Sequence, residues 1–111
     1  MLNEKTELMI TANYFPNKIK ANHGTLIFGD TGLEFIPDFS RKRIQLTYDN
    51  MKGIRVITIF KHWFRGFYVI DQDDALYRFV TRDTKKVIHI LNQKIDKRTI
   101  RVFRGTFTKR G

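Results

Sequence analysis

The groups able to do covalent or metal chemistry are few and poorly spaced for it. The three histidines, His23, His62 and His89, lie at no metal-ligand spacing from one another. Asp71, Asp73 and Asp74 form a carboxylate cluster of the kind that can bind hard cations. A calcium loop of the EF-hand type needs about twelve residues closed by a Glu. The run Asp71-Gln72-Asp73-Asp74 reads instead as a solvated turn. Cysteine is absent, which removes thiolate nucleophiles, disulfides and Cys-ligated metals. Ser40 is the only serine, and nothing nearby nominates a base to activate it. Gly24, Gly29 and Gly32 match neither a dinucleotide fingerprint nor a phosphate loop, and Gly32 reads as a turn glycine with positive φ. A non-enzymatic chain is expected, with no catalytic residue, no metal and no cofactor.

Binding chemistry is better represented. Net charge is +10, from 21 Lys and Arg against 11 Asp and Glu, which favours anionic partners. The densest aromatic and cationic stretch is Phe60-Lys61-His62-Trp63-Phe64-Arg65-Gly66, at the join of two predicted strands. Trp63 and Phe64 suit a partner's pocket or a membrane interface, with Lys61 and Arg65 meeting phosphates or carboxylates. The alternative is that both rings fold back onto the core, since Trp is usually mostly buried. The last residues, 97–111, form a basic tail. From Lys94 onward seven Lys and Arg face one Asp, so this end holds +6 of the charge. Arg98, Arg101 and Arg104 alternate there with Phe103 and Phe107, as in a segment that lies on an anionic surface. Arg41, Lys42 and Arg43 make a secondary basic patch, which is equally a solvated edge that discourages aggregation.

The elements that must position these groups are mostly strands. At 111 residues the chain is the size of one domain and can bury a real core. Leu8, Ile10, Ala12 and Tyr14 share one parity, which predicts a half-buried strand ended by Pro16-Asn17. Runs 24–28 and 33–36 flank Gly29-Asp30-Thr31-Gly32, a hairpin signal. Runs 43–48, 52–60, 67–70 and 76–80 follow between polar turns, and the run over 52–60 has apolar groups on both faces, as a central strand would. After Thr81 the period changes. Val87, Ile88, Leu91 and Ile95 form one helical stripe, with Thr81 or Asp83 as N-cap and Lys94 near the C-terminal dipole. Residues 100–107 fit either a strand or a helix. About seven strands followed by one helix is an α+β order. By analogy it points to a pleckstrin-homology-like bent antiparallel sheet over residues 1–96, capped by the C-terminal helix.

Several stretches in order resemble the ManO-like family of Firmicutes, encoded beside mannose-type sugar phosphotransferase operons. They are Gly29-Asp30-Thr31-Gly32-Leu33-Glu34-Phe35, Ile44-Gln45-Leu46, Phe60-Lys61-His62-Trp63 with Arg65, and Tyr77-Arg78-Phe79 followed by Lys85-Lys86-Val87. The resemblance implies a pleckstrin-homology-like fold, no catalytic residues, and an accessory or regulatory role at the membrane-embedded permease. The start of the chain does not read as a signal peptide, and no window is apolar enough to span a bilayer. The expected setting is cytoplasmic, with peripheral contact at the inner membrane face. The expected partner is the permease or the anionic membrane surface. A nucleic-acid-binding regulator of the operon is the alternative, although no recognised reading motif is present.

Overall fold

The computed structural model describes residues 4–16, 20–39, 43–59 and 63–103. Its strands are β1 (Thr6–Phe15), β2 (Asn22–Gly29), β3 (Gly32–Pro37), β4 (Ile44–Thr47), β5 (Met51–Ile59), β6 (Trp63–Asp71) and β7 (Leu76–Val80). The helix α1 (Thr84–Lys94) and a last strand, β8 (Ile100–Phe103), complete the order. All eight strands belong to one sheet ordered β4-β3-β2-β1-β7-β6-β5-β8. The first seven pair antiparallel where they touch, whereas β8 lies parallel to β5. The sheet is therefore mixed and one strand larger than the expected seven. β8 comes from the segment whose period fitted both strand and helix. Its parallel pairing requires a crossover, which α1 and a tight helical turn at Lys97–Thr99 supply.

Alternation sends one set of side chains inward. Leu26, Phe28, Leu33, Phe35, Ile54, Val56, Phe67, Val69 and Phe79 are fully or almost fully buried. Phe79 is a hub of this core, with ring centroids 5.4 Å from both Tyr14 and Phe67 and 5.7 Å from Phe35. The helix inserts Val87, Ile90 and Leu91, with Ile88 and Ile95 partly buried beside them. Asp83 occupies the N-cap position, but its side chain makes no cap hydrogen bond. Thr81 instead accepts from the Asp83 N–H at 3.2 Å, and its hydroxyl donates to the Thr11 carbonyl at 2.8 Å. The helix start is thereby tied to β1.

Two turn readings are corrected. Gly32 does not adopt a positive φ; a Cβ there would stand 2.2 Å from the Leu46 carbonyl oxygen, so the close approach of β4 demands glycine. Asp71 is not solvated but 6% exposed. Its Oδ1 accepts from the backbone N–H groups of Asp73 and Ala75, both at 2.9 Å, and so shapes the β6–β7 turn. Asp74 takes the left-handed conformation, with φ 65°, within that turn. No described group of His, Asp and Glu residues is arranged to hold a metal.

Candidate docking surface

The inward parity of the core residues forces the residues between them outward. On β5, Ile54 and Val56 face in, so Arg55 faces out; on β6, Phe67 and Val69 place Tyr68 outward. Phe79 does the same for Arg78, and Ile100, packed against the core, for Arg101. The register then lines these positions up. Phe15 pairs with Arg78, Arg78 with Tyr68, Tyr68 with Arg55, and Arg55 with Arg101. The result is one row of three arginines and two aromatic rings across five strands, spanning about 19 Å at the usual strand spacing.

The row is held by its own contacts. The Arg78 guanidinium lies 5.2 Å from the Phe15 ring centroid and 5.7 Å from that of Tyr68. Its Nε is buried without a hydrogen-bond partner among the described residues, and the two ring faces offset the cost of desolvating the cation. Arg55 donates from Nη1 to the carbonyls of Ile54 and Thr99, at 3.2 and 3.4 Å. Arg101 is exposed. Among the described residues none of the three arginines forms an ion pair with a carboxylate.

At the β8 end the row opens into a cleft of about 300 Å³ lined by Lys52, Arg55, Asp96, Arg98, Thr99 and Arg101. Asp96 is held by Arg98, whose Nη2 donates at 2.9 Å and whose backbone N–H donates at 2.9 Å. The Arg98 side chain, then its N–H, keeps the Asp96 carboxyl below the usual carboxylate range, and Asp96 in turn raises the guanidinium.

A second cationic region surrounds the connections from β1 to β2 and from β3 to β4. Tyr14, Phe35, Pro37 and Ile44 form the apolar walls of an open cavity of about 930 Å³, with Lys20, His23, Phe39 and Arg43 also lining it. Phe39 is 100% exposed. His23 Nδ1 lies 2.7 Å from Asp38 Oδ2 and joins the start of β2 to the residue after β3.

The residues singled out in the sequence fall as follows. Arg98 and Arg101 line the cleft, and Arg43 lines the open cavity. Trp63 and Phe64 belong to β6 rather than to a loop, paired with Ile59 and Thr58. Arg65 is exposed at a bulge, because Ile57 pairs with Gly66 and Thr58 with Phe64. Phe103 ends β8 beside Ile57, so the backbones of Trp63–Arg65 and of Phe103 share one end of the sheet. Lys61, His62, Arg104, Phe107, Arg41 and Lys42 lie outside the described residues. Lys52, Arg55, Tyr68, Arg78 and Phe15 were missed. Their signal is visible only as outward parity on separate strands; pairing register is needed to join them.

Solved structures with similar folds include three that are distant in sequence. The C-terminal domain of an unknown protein from Leishmania infantum is 14% identical, with 80% of this chain and 83% of that one covered and a TM-score of 0.66. The linker-DH/PH domains of p115-RhoGEF match at 15% identity, 81% and 28% coverage and a TM-score of 0.63. A chain of the Spt16D Pob3N heterodimer matches at 11% identity, 96% and 58% coverage and 0.70. These likenesses concern the fold, and they fit a pleckstrin-homology-like architecture. No curated protein matches the chain in sequence. A family model described as "Domain of unknown function (DUF956)" matches residues 1–109, and the chain belongs to that family.

Proposed function

We propose that this chain is a non-enzymatic accessory or regulatory protein of a mannose-type sugar phosphotransferase system, as the ManO-like resemblance implies, and that it acts by docking to an acidic face of the permease. The observation that supports docking is the row Phe15-Arg78-Tyr68-Arg55-Arg101, outward-facing and without carboxylate partners among the described residues. Arginine and tyrosine are the residue types that carry most interface energy. A paired strand face holds them in one register, which limits the entropy lost on association. The test is a pull-down with the permease subunits at rising salt. Capture at low salt that weakens as salt rises is expected, and Arg55→Ala with Arg101→Ala should abolish it. Failure of the wild-type chain to bind at low salt overturns the proposal.

A second reading is favoured by Phe39. A fully exposed ring that lines the same open cavity as Lys20 and Arg43 suits docking on anionic lipid. Flotation with phosphatidylglycerol vesicles separates the two readings, since Phe39→Ser removes lipid binding and leaves permease capture intact.

A further inference from the structure

The cleft at the end of the arginine row has features that a docking face does not require. Its walls bring four cations, Lys52, Arg55, Arg98 and Arg101, around a space of about 300 Å³ with one carboxylate, Asp96. That carboxylate is already engaged by Arg98, and Lys52 pairs at the rim with Asp74. Arg55 and Arg101 are register neighbours on parallel strands, and neither has a carboxylate partner among the described residues. Like charges set side by side across a ladder repel unless something lies between them.

Arg55 is moreover placed in advance. Its guanidinium lies over Gly53, where a Cβ would stand 2.9 Å from Nη1 and 3.5 Å from Cζ. Nη1 is spent on the carbonyls of Ile54 and Thr99, which fixes the plane of the fork. Among the described residues, Nε and Nη2 make no hydrogen bond. A missing side chain at Gly53 thus makes room for a fixed, half-empty arginine fork.

We infer that this cleft binds a phosphate-class oxyanion. A tetrahedral dianion offers enough acceptors for two guanidinium forks and an ammonium at once, and charge-assisted bonds to such groups are the strong ones. A single carboxylate offers half the charge and one plane. The inference goes beyond permease docking, because small-anion binding is measured on the chain alone. A chain that binds phosphate and no permease keeps this site and loses the docking reading.

The experiment is calorimetric titration of the full chain with inorganic phosphate, phenyl phosphate and acetate at low chloride. Saturable phosphate binding is expected, weakened about tenfold or more by Arg55→Ala or Arg101→Ala, as for loss of a bidentate charged contact. Gly53→Ala displaces only the flexible end of Arg55, so it should weaken phosphate while thermal unfolding stays near the wild-type temperature. Arg82→Ala, at an exposed position away from the cleft, should change nothing. Vesicles containing phosphatidylglycerol distinguish the source. Displacement of phenyl phosphate by vesicles assigns the site to lipid headgroups, and no displacement assigns it to soluble phosphate esters. No saturable binding by the folded wild type, acetate binding as tightly as phosphate, or equal weakening by Arg82→Ala overturns the inference.

Discussion

The two cationic regions of this molecule are built differently. On the β5–β8 side, every member of the arginine row sits on a paired strand, and its neighbours follow from register. Rings clamp Arg78, and carbonyls and the space above Gly53 clamp Arg55. Around the open cavity, Phe39, Lys20, His23 and Arg43 sit at strand ends and on connections, where His23 is held by its contact with Asp38. The first arrangement suits recognition of a fixed pattern of acceptors, because little ordering remains to be done on binding. The second suits a surface without fixed geometry, such as lipid headgroups, where one apolar tip and nearby charge suffice.

Both regions rest on one core, and its loss should break the comparison altogether. Phe79 packs against Tyr14 and Phe35, which wall the cavity, and its neighbour Arg78 carries the row. Phe79→Ala should cost about 3–5 kcal/mol in urea unfolding and weaken binding at both regions. Next in size is the row itself. Arg55→Ala with Arg101→Ala should cost at least about 2 kcal/mol in partner capture, while leaving vesicle flotation by the Phe39 region unchanged.

Asp71 sharpens the comparison from beneath. Removing its two accepted backbone hydrogen bonds by Asp71→Ala should destabilise the fold by about 1–3 kcal/mol in denaturant titration. The loss should loosen the β6–β7 hairpin under the row more than the cavity.

The smallest effect concerns pH. Backbone N–H groups of Lys5, then Glu4, donate to the Asp30 carboxylate and hold its pKa below the usual 3.8. A depressed folded-state value contributes stability above the unfolded pKa, and the contribution disappears as pH falls through the folded one. Amide NMR shifts of Glu4 and Lys5 should therefore titrate with a midpoint below 3.8 and report fraying of the β1 start, with both cationic regions unaffected. A midpoint at or above that value contradicts the pinning.

Local pattern alone set the strand and helix assignments that survive. The parity of Ile10 and Ala12, the hairpin across Asp30-Thr31, and the stripe of Val87 and Leu91 all appear in the structure. Alternation and the 3.6-residue period report which side is apolar, and burial follows from that. They do not report which strand lies next to which. For that reason Trp63 and Phe64 read as a loop although they belong to β6, and Gly32 read as a turn glycine although the approach of Leu46 decides it. Residues 100–103 were ambiguous because four residues are too few to separate the two periods; parallel pairing with β5 makes them a strand. The charge excess and the absence of cysteine chemistry were fixed by composition. The gathering of Arg55, Arg78 and Arg101 was decided only by tertiary structure, because sequence spacing cannot encode a neighbour that register supplies from another strand.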